Sequence, residues 1–168
     1  MINVFVGLGS NLGDGRQNIR TAWQKLGAVK GVRLLRLSSP YLTEPVGIET
    51  SSWFTNAVGL LQTTLSPREL LGAMLEIETE MGRDRTQTED RPVDLDILYY
   101  GDLVCNEPDL VIPHPDLQNR LFVLAPLEEL AADLPHPVSA KTTAEMRRAL
   151  SSGPVVIKKS WQKQGDAP

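Results

Sequence analysis

Residues 83–100 read RDRTQTEDRPVDLDILYY, and this stretch decides the fold. Its second half alternates with period two, which predicts a β-strand with Asp94 and Asp96 on one face. Two carboxylates one strand step apart on the same face lie roughly 6.5 to 7 Å apart at Cβ. This spacing suits hard cations held between the two side chains. The opposite face of the strand is apolar and is formed by Val93, Leu95, Ile97 and Tyr99.

The arginines that precede this strand support a metal and phosphate site. Mg²⁺ takes oxygen ligands and is usually bound through one or two carboxylates plus substrate phosphates. Arg83, Arg85 and Arg91 are placed to hold such phosphates through bidentate hydrogen bonds. A lone D-x-D on a half-exposed strand is usually only its solvated face. The hypothesis of a divalent-metal and polyphosphate site therefore depends on which other residues accompany the pair.

Length and composition narrow the class of protein. At 168 residues the chain can bury about 70% of its extended-chain surface without disulfides, and we expect one domain over 1–158 with a loose tail over 159–168. The formal net charge of -4 and the pI near 5.2 argue against a general nucleic-acid surface. The single cysteine, Cys105, can form no internal disulfide, and no Cys/His zinc spacing occurs, so any metal must be bound by oxygens.

Export and membrane signals are missing from the sequence. The N-terminus lacks the basic start and long apolar core of a signal peptide, and no apolar run approaches the ~18 residues that cross a bilayer. We therefore expect a soluble, cytoplasmic monomer that acts on small molecules rather than on nucleic acid or membranes.

The N-terminal third predicts a strand, a helix and a second strand. Residues 2–8 form an apolar strand that runs into the glycine-rich segment GLGSNLGDG, 7–15. Because neither G-x-G-x-x-G nor a Walker lysine is present, an ordinary strand-to-helix turn is favoured over a phosphate cradle. The second strand covers 32–38. The helix between them has a core face of Ile19, Ala22, Trp23 and Leu26, with Gly27 or Gly31 as its stop.

A long loop, 39–53, precedes a third strand at 54–62. Loops beyond about 12 residues are uncommon in compact domains and often serve as lids or binding loops. Asn56 lies within the otherwise apolar third strand. A buried amide needs partners, so two interpretations stay open: Asn56 is pinned to backbone, or it is held for a flat heterocycle with donor and acceptor edges.

A second helix begins at Ser66, where the sequence 66–69 forms a capping box with proline at N1. Glu78 is the unusual residue of this helix, because it lies on or beside the apolar stripe. It either snorkels at the edge of the stripe or is held near the arginine cluster as an orienting group. The stripe consists of Leu70, Leu71, Met74, Ile77 and Met81, and Gly82 ends the helix.

The C-terminal half adds a candidate phosphate contact. Pro113 and Pro115 fix the backbone on either side of His114, and Arg120 follows, so the histidine is either an ordinary surface residue or a phosphate contact. Further predicted elements are a hairpin turn at 101–102, an apolar helix from Phe122, a capped helix from Thr142 through Leu150, and a segment at 154–159 that either closes the fold as a strand or stays peripheral.

The order strand, helix, strand, strand, helix, strand is the split β-α-β arrangement of the ferredoxin-like α+β class. It predicts a sandwich in which an antiparallel sheet carries both main helices on one face and leaves the other face free. The Asp94 and Asp96 face, the 39–53 loop and the 83–92 loop can meet on that free face. Fold alone implies no function, and a non-catalytic module that senses a nucleotide or another small ligand is the alternative to an enzyme.

Further motifs occur in series along the chain. They are GSNLGD at 9–14, Y-x-T-x-P-x-G at 41–47, F-x-N-A at 54–57, GRxR at 82–85, R-x-x-DLDIL at 91–98, and PHP followed by NRLFVLAPL at 113–127. In this order and spacing, over about residues 2–135, the chain resembles the 6-hydroxymethyl-7,8-dihydropterin pyrophosphokinase family. The resemblance implies an enzyme of folate biosynthesis that transfers diphosphate from ATP to the pterin hydroxymethyl group and releases AMP.

The resemblance also implies metal and ATP-binding residues. Asp94 and Asp96 would bind two Mg²⁺ ions that bridge the ATP phosphates, and Asp96 could accept the hydroxyl proton. Arg85 would lie in a mobile catalytic loop and act in catalysis with Arg83 and Arg91. The implied ATP contacts are Arg83, Arg91, His114 and Arg120, with Glu78 supporting the metal and arginine shell.

The pterin site follows from the same resemblance. The ring would lie between Phe54 and Phe122, and it would be held by Asn56 and by the backbone around Thr43 and Val46. Two loops depart from the family pattern. Residues 86–90 read TQTED where members often carry Gly-Pro before the arginine, and 48–53 read IETSSW without the usual Gln-Pro. These departures bear on how the loops close over the site.

Overall fold

The computed structural model describes residues 1–45, 52–84, 86, 90–150 and 153–162. Eight strands and four α-helices occur in this part of the chain, with a short 3-10 helix at Leu117–Asn119. In chain order they are β1 (Ile2–Ser10), α1 (Gly15–Gly27), β2 (Val32–Leu37), β3 (Tyr41–Thr43), β4 (Phe54–Thr63), α2 (Pro67–Glu80), β5 (Asp94–Tyr100), β6 (Cys105–Glu107), β7 (Leu110–Ile112), α3 (Leu121–Ala131), α4 (Thr143–Ala149) and β8 (Val156–Lys158).

The main sheet is antiparallel and has the order β5-β1-β4-β3-β8, with β2 paired to the other end of β4. Because β2 and β3 pair with successive parts of the same strand, together they occupy one position beside β4. The order of the predicted strands is therefore that of a ferredoxin-like sheet, which confirms the predicted α+β class. The prediction of a single domain over 1–158 stays a prediction.

Helices α1 and α2 pack on one face of this sheet, as predicted. Asp14 caps α1 by accepting a hydrogen bond from the backbone of Gln17, and Ser66 and Glu69 form the reciprocal capping box of α2. Gly82 follows α2 with a φ of 96°, a left-handed conformation that glycine adopts at low cost. The core between these helices and the sheet contains Ile19, Ala22, Leu26, Leu70, Met74 and Ile77.

The opposite face of the sheet is not free, contrary to the sequence-based expectation. Helices α3 and α4 cover part of it and form a second core. An apolar helix such as α3 must bury its surface, and it packs against Phe5, Val58 and Leu98 of the sheet. The candidate site lies on the part of this face beyond the start of α3, among the described residues.

A register shift in β5 corrects the predicted alternation. Val6 pairs with Ile97 but Phe5 pairs with Tyr99, so Leu98 is an extra residue in the strand. A bulge of this kind moves the following side chain to the other face. Tyr99 therefore lies in the second core, away from Leu95 and Ile97, while Asp94 and Asp96 precede the shift and share one face as predicted.

Two short strands, β3 and β8, were not firmly predicted from the sequence. A loop was predicted for the region of β3, and two alternatives were left open for the region of β8. β3 lies inside the predicted 39–53 loop and pairs with β4. β8 pairs with β3, so 154–159 does contribute a final strand. The chain also stays attached beyond Lys158, because Trp161 donates its indole N–H to the Ser38 carbonyl at 3.0 Å. The expected loose tail therefore does not begin at residue 159.

The turn at 101–102 forms, but it does not make the predicted hairpin with β5. Instead β6 pairs with β7 as a separate two-stranded sheet. Within the described residues, no helix combines the length and the apolar character needed to span a membrane.

Candidate active site

A cavity of about 330 Å³ lies on the second face of the sheet, at the end that α3 leaves uncovered. Residues from β1, β3, β4 and β5 line it, together with residues around the start of α3. It brings together nine residues that the sequence singled out: Thr43, Phe54, Asn56, Arg91, Asp94, Asp96, His114, Arg120 and Phe122.

Glycines in β1 make room for this cavity. Gly7 pairs with Val58 and Asp96, and Gly9 pairs with Asn56 and Asp94. A Cβ on Gly9 would lie 2.8 Å from Oδ1 of Asn56, so a larger residue there would displace the amide. Gly7 and Gly9 are therefore strand residues beneath the cavity: Gly7 lies within the predicted strand 2–8, whereas the sequence favoured a turn for Gly9. Their two-residue spacing was the signal for this placement.

The two aspartates project into the cavity from neighbouring positions on one face of β5. Asp94 lies 2.8 Å from Nη1 of Arg83 and 3.5 Å from Nη2 of Arg91. Burial, and then the charges of Asp94 and Glu78, raise the pKa of Asp96, while Arg120 and Arg91 offset only part of that effect. The surroundings of Asp96 therefore disfavour its ionised form, chiefly because the carboxyl group is buried.

This donor set fits a magnesium ion. Among the described residues, no group of three or more His, Cys, Asp or Glu side chains is arranged as a complete metal cage. Mg²⁺ does not require one, because it usually keeps several waters and takes its other ligands from one or two carboxylates and substrate phosphates. A pair of carboxylates that lines an open cavity meets that requirement.

Glu78 and Arg83 contact β5 from outside the cavity, at the backbone of Leu95 and at the side chain of Asp94. Glu78 is only 1% exposed, and its Oε2 accepts a hydrogen bond from the Leu95 backbone at 2.7 Å. The same oxygen lies 3.4 Å from Nη1 of Arg83. Glu78 is thus the orienting group that the sequence left as one of two interpretations. Neither residue is part of the cavity wall, so neither reaches the cavity in this conformation.

Arg91 is held at both its backbone and its side chain. Its guanidinium carbon lies 5.1 Å from the centroid of the Phe54 ring. The side-chain oxygen of Asn11 accepts a hydrogen bond from the backbone amide of Arg91 at 2.7 Å, and the side-chain nitrogen of Asn11 donates one to Asp90 at 2.7 Å. The backbone amide of Asn11 donates to the Arg91 carbonyl at 3.1 Å. Asn11 was not among the candidate site residues. An asparagine just after a strand resembles an ordinary turn residue, and only the long-range contact distinguishes it.

Asn56 combines features of its two sequence-based interpretations. Its Nδ2 donates to the hydroxyl of Thr43 at 3.0 Å, so a side chain rather than the backbone pins it. It also lines the cavity beside Phe54. The amide is therefore fixed in orientation at a surface where a flat polar ring could bind.

His114, Arg120 and Phe122 also line the cavity. The Asp116 amide donates to Nδ1 of His114 at 3.2 Å, and burial followed by the charge of Arg120 lowers the pKa of the histidine. The guanidinium carbon of Arg120 lies 5.6 Å from the Phe122 ring centroid. Two arginine and aromatic pairs therefore frame the cavity. The remaining predicted residues, Arg85 and Val46, lie outside the described residues.

Comparison with known proteins identifies relatives of this chain. The family model described as 7,8-dihydro-6-hydroxymethylpterin-pyrophosphokinase (HPPK) matches residues 5–132. The protein named 2-amino-4-hydroxy-6-hydroxymethyldihydropteridine pyrophosphokinase of Haemophilus influenzae is 39% identical over 140 residues, which cover 83% of this chain and 88% of the relative. The protein of the same name from Pseudomonas aeruginosa is 41% identical over 135 residues, with 80% and 83% coverage.

Longer proteins also match. The chain is 41% identical over 149 residues to the folic acid synthesis protein fol1 of Schizosaccharomyces pombe, of which it spans only 20%. The crystal structure of Plasmodium falciparum HPPK-DHPS with pteroate superposes with a TM-score of 0.73 at 14% identity, over 88% of this chain and 44% of that one. This structural likeness supports the fold alone.

Proposed function

The chain belongs to the 7,8-dihydro-6-hydroxymethylpterin-pyrophosphokinase family, and on that premise we propose that it transfers diphosphate from ATP to the hydroxymethyl group of 6-hydroxymethyl-7,8-dihydropterin. AMP is the second product, and the step belongs to folate biosynthesis. The observation that carries the proposal is the cavity itself, in which Asp94 and Asp96 face two arginine and aromatic pairs.

Asp94 and Asp96 would hold two Mg²⁺ ions together with the ATP phosphates. Bound there, the metal supplies neutralisation of charge on the phosphate oxygens. The raised pKa of Asp96 supports this assignment, because a cation would relieve the repulsion from Asp94 and Glu78.

The nucleotide lies along the wall that contains His114 and Arg120. Arg91 and Arg120 contact the phosphates directly, because both guanidinium groups reach the cavity. Arg83 is 13% exposed and holds Asp94, so it supports the metal ligand and reaches ATP only if its side chain reorients. Glu78 acts in the same supporting way, and Arg85 completes the set as a catalytic residue of the 83–92 loop.

The pterin ring binds between Phe54 and Phe122, both of which line the cavity. Flat rings gain from stacked or edge contacts with aromatic side chains. Asn56 reads the amide edge of the ring, and Thr43 fixes the orientation of Asn56 through the 3.0 Å hydrogen bond. The backbone near Val46 completes this side of the site.

The chemistry is a substitution at the β-phosphorus of ATP. The hydroxymethyl oxygen forms a bond to that phosphorus, the bond to the oxygen shared with the α-phosphate breaks, and AMP leaves with that oxygen. Asp96 accepts the hydroxyl proton. The chain contributes mainly position and charge, since phosphoryl transfer needs an in-line approach and a dry, positively charged site. Arg83, Arg85 and Arg91 provide the positive charge.

The proposed substrates and the net charge indicate where the protein acts and which partners it binds. ATP and the dihydropterin are small soluble molecules, and the net charge of -4 disfavours nucleic acid as a partner. We propose that the protein acts as a cytoplasmic monomer.

The direct test is a product analysis. The protein should convert ATP, Mg²⁺ and the dihydropterin to AMP and the pterin diphosphate in equal amounts. Asp96→Asn should lose this activity, whereas Asp102→Asn should retain it, because Asp102 is an exposed aspartate in the turn after the same strand. Release of ADP, nucleotide breakdown that does not require pterin, or ligand binding without turnover would each contradict the proposal.

A further inference from the structure

β3 forms one wall of the pterin side of the cavity. Thr43 and Glu44 both line the cavity, and Thr43 holds the amide of Asn56. The strand has only three residues, Tyr41–Thr43, and it is paired with β4 on one side. A three-residue strand has few contacts of its own, so its position depends on what lies on its other side.

The other side of β3 is occupied by the C-terminal segment, residues 153–162. β8 pairs with all three residues of β3. Beyond the ladder, the Glu44 amide donates to the Val155 carbonyl at 3.2 Å, and the Val155 amide donates to Oε2 of Glu44 at 3.2 Å. At the other end, the Lys159 amide donates to the Pro40 carbonyl at 2.8 Å.

Trp161 anchors this segment to the body of the protein. Its Nε1 donates to the Ser38 carbonyl at 3.0 Å, and its ring packs against the core beneath α1 and α2. The guanidinium carbon of Arg20, on α1, lies 5.5 Å from the centroid of the ring. One side chain thus attaches the segment both to the chain just before β3 and to a helix.

We propose that the C-terminal segment positions the pterin-binding wall, and that it does so through Trp161 and the two hydrogen bonds between Val155 and Glu44. The family match ends at residue 132, so this segment lies outside it. The inference rests on the proposed function, because it assigns the β3 side of the cavity to the pterin.

Binding of the nucleotide should not depend on the C-terminal segment. Asp94 and Asp96 lie on β5, which is at the opposite edge of the sheet from β8, with β1, β4 and β3 between them. His114 and Arg120 lie near β5 and the start of α3. Loosening β3 should therefore weaken pterin binding selectively, which a general loss of stability would not do.

The test is a comparison of kinetic constants in the full-length chain. Trp161→Ala should raise KM for the dihydropterin by about tenfold, with KM for ATP changed less than about twofold. Trp161→Phe keeps an aromatic ring near Arg20 but loses the N–H donor and the second ring of the indole, so it should fall between wild type and Trp161→Ala. Val155→Pro removes the donor to Glu44 and fixes the backbone φ, at a residue that is 47% exposed, and should raise the dihydropterin KM by about threefold.

Met74→Ala is the matched control. Met74 is 1% exposed in the core under α2 and lies away from β3, so its truncation should lower the melting temperature without changing the dihydropterin KM. The inference is overturned if Trp161→Ala behaves like Met74→Ala, or if it raises both KM values equally. If Trp161→Ala does not fold, the test uses Val155→Pro instead, and the change in its KM for the dihydropterin is compared with the change in its KM for ATP. Failure of the wild type to release AMP would instead refute the proposed function.

Discussion

Asp94 and Asp96 share a direction because a strand repeats every two residues, but their surroundings differ. Asp94 has two arginine partners, at 2.8 and 3.5 Å. Asp96 has an upward-shifted pKa, because burial and two neighbouring carboxylates disfavour its charge. The two carboxylates therefore lie in different surroundings, although both are proposed to bind the same metal ions.

Substitution of these two residues should separate stability from activity. Asp94→Asn should lower the melting temperature of the metal-free protein because Arg83 loses a partner, whereas Asp96→Asn should leave it unchanged or raise it because repulsion is relieved. Both variants should lose AMP production by about a thousandfold or more. Thermal melting in the presence of a chelator and an AMP assay measure the two effects. Equal melting temperatures for both variants would contradict the assigned charge environment.

Asn11 should affect catalysis without touching substrate. Asn11→Ala removes the two side-chain hydrogen bonds to residues 90 and 91, so Arg91 loses its fixed position over Phe54. We expect kcat to fall by about tenfold or more while Mg²⁺ binding persists. Asn18→Ala is the control, since Asn18 bonds only within residues 10–18 at Ser10 and Leu12. A normal kcat for Asn11→Ala would remove Asn11 from the positioning role.

At the level of elements, the sequence predicts best where periodicity and caps agree. α1 and α2 were predicted with their core faces because each has a clear apolar stripe, and a capping box also marks the start of α2. The bulge at Leu98 was not predictable, because it depends on which residue of β1 lies opposite. β3 and β8 have three residues each, which is too short for a periodic signal, and they exist through pairing with each other and β4.

Two glycines give opposite predictions for the same change. A Cβ on Gly59 would lie 2.3 Å from Cζ3 of Trp23, so Gly59→Ala should cost about 1 to 3 kcal/mol. Gly72, inside α2, has nothing within 4 Å of such a Cβ, so Gly72→Ala should gain about 0.5 to 1 kcal/mol. Urea denaturation measures both. If Gly59→Ala were neutral, the contact between α1 and β4 would be looser than the structure indicates.

Glu129 joins α3 to the start of β3. Its carboxylate accepts hydrogen bonds from the Ser39 amide, the Ser39 hydroxyl and the Tyr41 hydroxyl, at 2.8 to 3.0 Å. Burial alone would raise the pKa of Glu129, but these hydrogen bonds outweigh it and hold the pKa below its ordinary value. A lowered folded-state pKa stabilises the fold above the ordinary value of 4.5 and loses that effect as pH falls through the folded-state value.

The Glu129→Gln variant should therefore lose a pH-dependent stability. At pH 7 it should be less stable than wild type by about 1 kcal/mol, a low value for a charged hydrogen bond because solvent screens the group. The difference should shrink below about pH 4.5 as the wild-type carboxylate is protonated. Urea denaturation at both pH values measures it. A difference that grows in acid would mean that the hydrogen bonds favour the neutral form.

For the whole molecule, the site is the part of one sheet face that α3 does not cover. Its walls come from β3 and β4 on one side, and from β5 and the chain leading into α3 on the other. The sequence predicted most of the wall residues, because their motifs resemble those of a family. It predicted the two later helices but did not place them on that face, because the six-element pattern of strands and helices includes no position for them. The start of α3 bounds the cavity on one side through Phe122 and Val123.

Ligand binding across the whole cavity should stabilise the entire fold. With Mg²⁺ and a nonhydrolysable ATP analogue at about 100 times its Kd, the native state should gain about 2.7 kcal/mol, or roughly 5 to 10 °C in melting temperature. A chelator should remove most of this shift, since the nucleotide phosphates and the carboxylates repel each other without the cation. Asp94→Ala and Asp96→Ala should lose it as well, whereas the exposed control Asp102→Asn should keep it. An equal shift in the presence of the chelator would show that the nucleotide binds without the carboxylate pair, and the metal assignment would then be wrong.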